Sequence, residues 1–275
     1  MTPMAAAEHV ADSMSDAQFA HLRQRVFDWT GIHLGSAKKM MVCGRLKRRL
    51  HHYDLHEYGS YLALIDSPNG AVERQIAIDL LTTNETHFFR EPKHFQFLTD
   101  RILPDCRPPL RIWSAASSSG EEAYSLAMVL AERWGAAGDW EVLGTDISTR
   151  VLEQARSGRY SLARKPEIPP ELLRRYCLKG IRSQEGVFRI VPELMRQVRF
   201  EQVNLTQPIP SLGVFDVIFL RNVLIYFDPP TKRQVVTQVK NHLKRSGFLL
   251  VGHSESLNGL CDDLSVVAPS VYRAS

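Results

Sequence analysis

Cysteine is scarce in this chain, and the spacings that would give it a metal or redox role are missing. Cys43, Cys106, Cys177 and Cys261 stand far apart and form no C-x-x-C pair, which argues against zinc or dithiol chemistry and fits a reducing, cytoplasmic setting. No metal site is expected. Long apolar runs are absent as well. The longest candidate, Val217 to Phe227, is interrupted by Arg221 and Asn222 and falls short of the ~20 residues a membrane helix needs. Met1 to Met14 lacks the basic start and apolar middle of a secretory signal and reads as a disordered tail. Charge of one sign is only mildly in excess, at +4, so a nucleic-acid reading would have to rest on local clustering. There is no internal repeat, no low-complexity tract, no G-x-G-x-x-G fingerprint and no G-x-S-x-G elbow. His253-Ser254-Glu255 are consecutive, so their side chains diverge and cannot form a hydrolytic relay.

What is present begins with Leu110-Arg-Ile-Trp-Ser-Ala115, an apolar run that breaks into the small residues Ala116 to Gly120 and continues as a helix. Ala123, Leu126, Ala127, Leu130 and Trp134 fall on one face of a 3.6-residue period. Strand, small-residue loop and helix are how an open α/β sheet holds a nucleotide-like ligand beyond the strand's carboxyl end. A second strand, Trp140 to Asp146, closes on a carboxylate suited to a ribose. Serines replace most of the usual glycines, and Glu121 and Glu122 occupy the helix start. Anions there favour the helix dipole but repel a phosphate, so either they only cap the helix or the cofactor has a cationic middle.

Upstream, residues 15–82 read as four helices without a strand. Ser15 and Gln18 form a capping-box pattern and Gly31 a stop. The expected apolar stripes are Phe19, Leu22, Val26 and Trp29, then Val42, Leu46, Leu50 and Tyr53. Tyr58, Leu62 and Ile65 follow, and Val72, Ile76 and Leu80 close the set. Lys38, Arg45, Arg48, Arg49 and His52 share the opposite side of the second helix. That side is either a solvated face or a docking surface. No aromatics interleave it as a stacking platform requires, so an acidic protein partner ranks above nucleic acid.

Downstream of Asp146 come a crossover helix from Thr149, an irregular stretch, and a small β-rich excursion over 177–200. Val198 to Val203 then ends at Asn204-Leu205. The near-continuous apolar run Val214 to Leu220 reads as a strand buried on both faces. It leads to Arg221-Asn222, a helix over Thr231 to Lys244, a strand over Phe248 to Val251, and final strand material that a non-helical connection makes antiparallel.

Five blocks carry a resemblance. They are Thr83-Asn-Glu-Thr-His-Phe-Phe-Arg90, Ser114 through Met128, Gly144-Thr-Asp-Ile147, Arg221-Asn-Val-Leu-Ile-Tyr-Phe-Asp228 and Gly252-His-Ser-Glu-Ser256. In this order they resemble the chemotaxis receptor protein-glutamate O-methyltransferase (CheR-type) family over about Ser15 to Tyr272. The resemblance implies an N-terminal all-α domain (15–82) and a linking, cofactor-contacting segment (83–109). It also implies a class I methyltransferase-like α/β domain (110–275), with a mostly parallel sheet, an antiparallel last strand and an inserted small β-subdomain (about 177–200). The cofactor would be S-adenosyl-L-methionine, leaving as S-adenosyl-L-homocysteine. Asn84, Thr86, Arg90, Glu122, Asp146, Asn204, Leu205, Arg221 and Asn222 would hold it, and Arg90 and Tyr226 would orient the substrate. Arg45, Arg48, Arg49 and His52 gain a docking role towards the cytoplasmic domain of chemoreceptors. The β-subdomain resembles a version that in some members grips a receptor's C-terminal peptide. A cytoplasmic monomer that neither binds nucleic acid nor enters a membrane is expected. Ala123 and Ser117 depart from the family's commoner proline and cysteine or alanine.

Overall fold

A computed structural model describes residues 13–261 and 263–275, leaving aside the side chains of residues 164–166. The tail expected over Met1 to Met14 lies, for residues 1–12, outside the described residues. Two compact units divide at Thr83/Asn84.

The first unit is helical: α1 (Asp16–Thr30), α2 (Lys39–His52), α3 (Tyr58–Asp66) and α4 (Ala71–Leu81). The Ser15–Gln18 capping box closes in both directions, and Gly31 ends α1 in the left-handed region that glycine enters without steric cost. Phe19, Leu22, Val26, Val42, Leu46, Leu50, Tyr58, Leu62 and Ile65 form its core, joined by Met14. Helix α4 differs from expectation. Val72 is 75% exposed, while Glu73, Ala77, Ile78 and Leu81 turn inward. The cause is an ion pair. Glu73 receives both Nε and Nη2 of Arg49, at 2.8 and 2.5 Å, and the hydroxyls of Tyr61 and Tyr53 at 2.7 and 3.1 Å. Burial works to raise the Glu73 pKa, but the Arg49 guanidinium and the phenols together hold it below the usual value. The basic side of α2 is thereby divided. Arg49 is committed to Glu73, and Arg45 donates to the carbonyls of Leu80, Leu81 and Thr82, which end α4. Arg48 and His52 are exposed.

The second unit opens with α5 (Pro92–Phe97), continued by a wider π turn over Leu98–Ile102. There follow β1 (Leu110–Ala115), α6 (Glu121–Trp134), β2 (Trp140–Asp146), α7 (Thr149–Ser157), β3 (Arg159–Ser161), α8 (Pro170–Tyr176), β4 (Cys177–Lys179), β5 (Val187–Ile190), α9 (Pro192–Met195), β6 (Val198–Gln202), β7 (Phe215–Leu220), α10 (Pro229–Lys240), β8 (Leu243–Val251), β9 (Leu264–Ala268) and β10 (Val271–Ala274). The main sheet runs β6-β2-β1-β7-β8-β10-β9. Its first five strands are parallel, and β10 and β9 are antiparallel to their neighbours. The final strand material is thus a hairpin whose second arm, not its first, joins β8. The small sheet, β3-β5-β4, starts at Arg159, earlier than expected, because Arg159–Ser161 pairs with Val187–Arg189. The stretch from Val198 returns to the main sheet, beside β2.

Register places the site. Ala115 lies opposite both Thr145 and Leu220, Asp146 opposite Gln202, and Leu220 opposite Val251. Five strands therefore end level, and the loops that follow them open on one edge. The chain runs outward from β1 to β2 and β6, then crosses to β7 and β8. That makes β1 the switch point where an open parallel sheet leaves a ligand crevice. Strand β7 is buried from Val217 to Leu220, and α6 sets Ala123, Leu126, Ala127 and Leu130 against the sheet. Each large apolar side chain covered in this way is worth roughly 1.5–3 kcal/mol.

Candidate active site at the carboxyl edge of the sheet

The loop after β1 does what a glycine-rich loop does, with few glycines. Ala116 (φ 64°), Ser118 (φ 50°) and Gly120 (φ 91°) are all left-handed. For non-glycine residues such conformations cost on the order of 1–3 kcal/mol each and persist only where surrounding bonds impose them. Here Ser117 N–H donates to Thr145 O (2.7 Å), Ser118 N–H to Asp146 Oδ2 (2.9 Å) and Ser118 Oγ–H to Asn84 O (2.9 Å). Within this loop packing also demands glycine at Gly120, since a Cβ would lie 2.8 Å from that of Ala155 and 3.0 Å from Phe200 Cζ. Asp146, nearly buried, also accepts from Ser148 N–H at 2.9 Å.

The acidic helix start separates into two roles. Glu121 is fully buried and accepts locally from Ser119 Oγ–H at 2.7 Å. Glu122 accepts from Ser114 Oγ–H (2.6 Å) and from Arg221 Nη1 (2.8 Å). Arg221, with only 1% of its side chain exposed, also donates from Nη2 to Glu91 Oε2 (2.8 Å) and Arg90 O (2.6 Å). Its guanidinium lies over the rings of Phe95 and Phe219. A buried cation with two carboxylates and a carbonyl is compensated, so Arg221 ties the segment before α5 to the end of β7 and the start of α6.

Glu91 was not foreseen from the sequence. Burial works to raise its pKa, but Arg221, the Asn222 amide and the His253 N–H outweigh it and bring it to about 2. Glu255 belongs to no hydrolytic relay and instead accepts the backbone N–H groups of Asn222 (2.8 Å), Gly252 (2.7 Å) and Ile225 (3.2 Å). The one available signal was the block Gly252 to Ser256, whose acid has no other local use. Burial and the Arg221 charge push His94 down to about 4, so it stays neutral against the exposed ring of His253, 4.6 Å away between centroids. Glu91, His94 and His253 are close enough to share an ion. The Glu91 oxygen nearest His94 already receives Arg221, however, and a divalent cation there would face a full positive charge.

At the rim, Arg90 donates from Nη1 to Glu85 O at 2.9 Å. Tyr226 is half-buried: burial raises its pKa, while the Arg90 charge opposes the rise. The two therefore lie within electrostatic reach. Asn204 Oδ1 accepts the N–H and hydroxyl of Thr206, which fixes the turn after β6, and Val203 N–H donates to Asp146 O. Arg221 thus bonds Glu122 and the Arg90 carbonyl directly and reaches Asn222 through Glu91, while Asn84 and Asp146 meet at Ser118, with Asn204-Leu205 and Tyr226 on adjoining loops. Arg45, Arg48, Arg49 and His52 belong to the helical unit.

A phosphorylated cofactor would want donors at the start of α6. This edge offers two carboxylates instead, Glu122 and Asp146, beside the buried Ser117 hydroxyl, which has no hydrogen-bond partner and can donate or accept. Such a set suits a cationic sulfonium and the hydroxyls of a ribose. Comparison with known proteins agrees. Residues 17–82 match the all-alpha domain of CheR methyltransferases, and residues 84–272 match their SAM-binding domain. The chain belongs to the CheR methyltransferase family. Its cofactor is accordingly S-adenosylmethionine. It is 40% identical to the chemotaxis protein methyltransferase of Salmonella typhimurium over 96% of this chain and 92% of that one. Against the Escherichia coli protein of the same description the identity is 41%, with the same coverage. Chemotaxis protein methyltransferase 2 of Pseudomonas aeruginosa is 40% identical over 92% of this chain and 91% of its own. Among the described residues, no helix is long and apolar enough to cross a membrane.

Proposed function

We propose that this chain methylates glutamate side chains of chemoreceptors in the cytoplasm, forming methyl esters that adapt chemotactic signalling. The observation that carries the reading is the carboxylate-lined crevice of Glu122 and Asp146, braced by Arg221, with the charge of Arg90 acting on Tyr226 at its rim. A cation and a phenol at the rim of an acceptor-lined crevice are matched to a carboxylate arriving from outside. Bound S-adenosylmethionine would supply an electrophilic methyl group that a glutamate carboxylate oxygen could accept, the bonding pair leaving with the sulfur. The acceptor is already ionised at neutral pH, so the residues need to orient rather than deprotonate it. Arg90 grips one carboxylate oxygen through its guanidinium fork, and Tyr226 donates to the other. The burial that raises the Tyr226 pKa keeps its hydroxyl protonated for that task. Holding oxygen, carbon and sulfur in line supplies ~7–11 kcal/mol in favourable cases. Asn84, Thr86, Arg90, Glu122, Asp146, Asn204, Leu205, Arg221 and Asn222 would hold the cofactor, with Asp146 suited to the ribose and Asn204-Leu205 to the adenine.

Docking falls to two surfaces. Arg48 and His52, exposed on α2, meet acidic methylation helices, while Arg45 and Arg49 keep that helix rigid. In the small sheet, Arg159, Lys179 and Arg189 line a half-open pocket with Leu178 and Phe188, a chemistry suited to an acidic, partly apolar C-terminal peptide. The deciding experiment is methyl transfer from labelled cofactor to receptor membranes with and without their C-terminal tails, with RNA as the competing acceptor. Label on RNA, or none on receptors while the cofactor binds, would overturn the reading.

A further inference from the structure

We propose that Glu91 and Glu255 are positioning residues that act through Asn222, fixing both its backbone and the direction of its amide. The inference rests on the cofactor site described above. Asn222 is left-handed, with φ 57°, a region asparagine enters more readily than other non-glycine residues, and here bonds from outside the loop fix it. Those bonds come from two carboxylates on separate segments. Glu255 Oε2 accepts the Asn222 backbone N–H at 2.8 Å and the Gly252 N–H at 2.7 Å, and its Oε1 accepts Ile225 N–H at 3.2 Å, one residue before Tyr226. Glu91 Oε1 accepts the Asn222 side-chain N–H at 3.1 Å. An ionised carboxylate can only accept, so the amide must present Nδ2 to Glu91 and direct Oδ1 the other way. With one Nδ2–H engaged by Glu91, the amide orientation leaves Asn222 Oδ1 as an acceptor, the polarity a cofactor rich in ammonium and hydroxyl donors requires. Glu91, held ionised by Arg221, cannot switch role near neutral pH. Gly252 leaves the room: a Cβ there would lie 2.6 Å from Asn222 Nδ2 and 2.8 Å from Glu255 Oε2.

A pair of carboxylates that only stapled loops together would change stability and leave cofactor affinity alone once the protein is folded. A double-mutant cycle separates the two. Calorimetric titration with S-adenosylhomocysteine is carried out on the wild-type chain, Glu91→Gln, Asn222→Ala and the double variant, each checked for cooperative melting. Glutamine can turn either end to Asn222, so Glu91→Gln should weaken binding about tenfold, one hydrogen bond's worth. With Asn222→Ala already in place, the same change should cost less than about twofold. Equal losses in both backgrounds, or no loss in either, would overturn the proposal. If Glu91→Gln fails to melt cooperatively, Glu255→Gln enters the same cycle with the same criterion. A wild-type chain that gives no heat with S-adenosylhomocysteine would sink the cofactor site and this inference together. A binding wild type without coupling sinks the inference alone.

Discussion

One nitrogen of Arg221, Nη2, donates to the backbone carbonyl of Arg90 at 2.6 Å and to Glu91 Oε2 at 2.8 Å. The cation proposed to orient the substrate therefore hangs from a main chain that a second, buried cation holds in place. Arg90 and Arg221 lie 131 positions apart in sequence, and their neighbourhood exists only once the sheet has formed.

Arg221→Lys should damage this arrangement almost as much as removal. A lysine ammonium cannot reach Glu91, Glu122 and the Arg90 carbonyl through one planar fork, and it would leave buried carboxylates short of a partner. Breaking a buried pair costs about 3–5 kcal/mol. Urea unfolding should show that loss, and S-adenosylhomocysteine affinity should fall with it.

Arg90→Ala should lower turnover at saturating receptor on the order of a hundredfold, the cost of a misplaced reacting group, a larger loss than its effect on cofactor affinity. Full turnover in single-turnover assays at saturating receptor would remove Arg90 from the reaction.

On α2, equally basic neighbours should behave differently. Arg49→Ala strips a buried carboxylate of its cation, and the helical unit should lose about 3–5 kcal/mol in chemical denaturation. Arg48→Glu should leave stability within about 0.5 kcal/mol and raise KM for receptor. Wild-type methylation should weaken with added salt more steeply than S-adenosylhomocysteine binding does.

The pH dependence of stability isolates His94. Burial, then Arg221, lowers it from 6.5 to about 4 in the folded chain. A depressed folded value means that the unfolded chain takes up the proton first. The contribution is complete above pH 6.5 and is lost as pH falls towards 4. Glu91, moved from 4.5 to about 2, begins to act only below pH 4.5. Wild-type melting temperature should therefore drop between pH 6.5 and 4.5, and His94→Leu, which still faces Glu91, Arg221 and His253, should flatten that drop. A parallel decline in both proteins would assign it to other histidines.

Much of this was legible in one dimension because its causes are local. The Ser15–Gln18 cap, the Gly31 stop, the alternation of strand and helix and the doubly apolar β7 each depend on residues within a few positions of one another. So did the carboxylate closing β2 and the unsuitability of the α6 start for phosphate. Helix α4 was misread for a non-local reason. The stripe of Val72, Ile76 and Leu80 is as apolar as the one that is buried, and only the distant Arg49 makes Glu73 worth placing inside. The small sheet was started too late in the chain because Arg159–Ser161 has no strand signal apart from its partner, β5.

By itself, the sequence determined the class of the molecule: which segments could hide an apolar face, where the chain must turn, and which short blocks marked it as a CheR methyltransferase. Only tertiary structure decided what each charge does. Arg45 and Arg49 are absorbed by α4 and Glu73 while Arg48 stays in water, and Glu91 and Glu255, unremarkable in one dimension, close around Asn222. The reason is physical: helix and strand periodicity is written in neighbouring residues, whereas an ion pair or a carboxylate brace depends on which chain ends the sheet brings level.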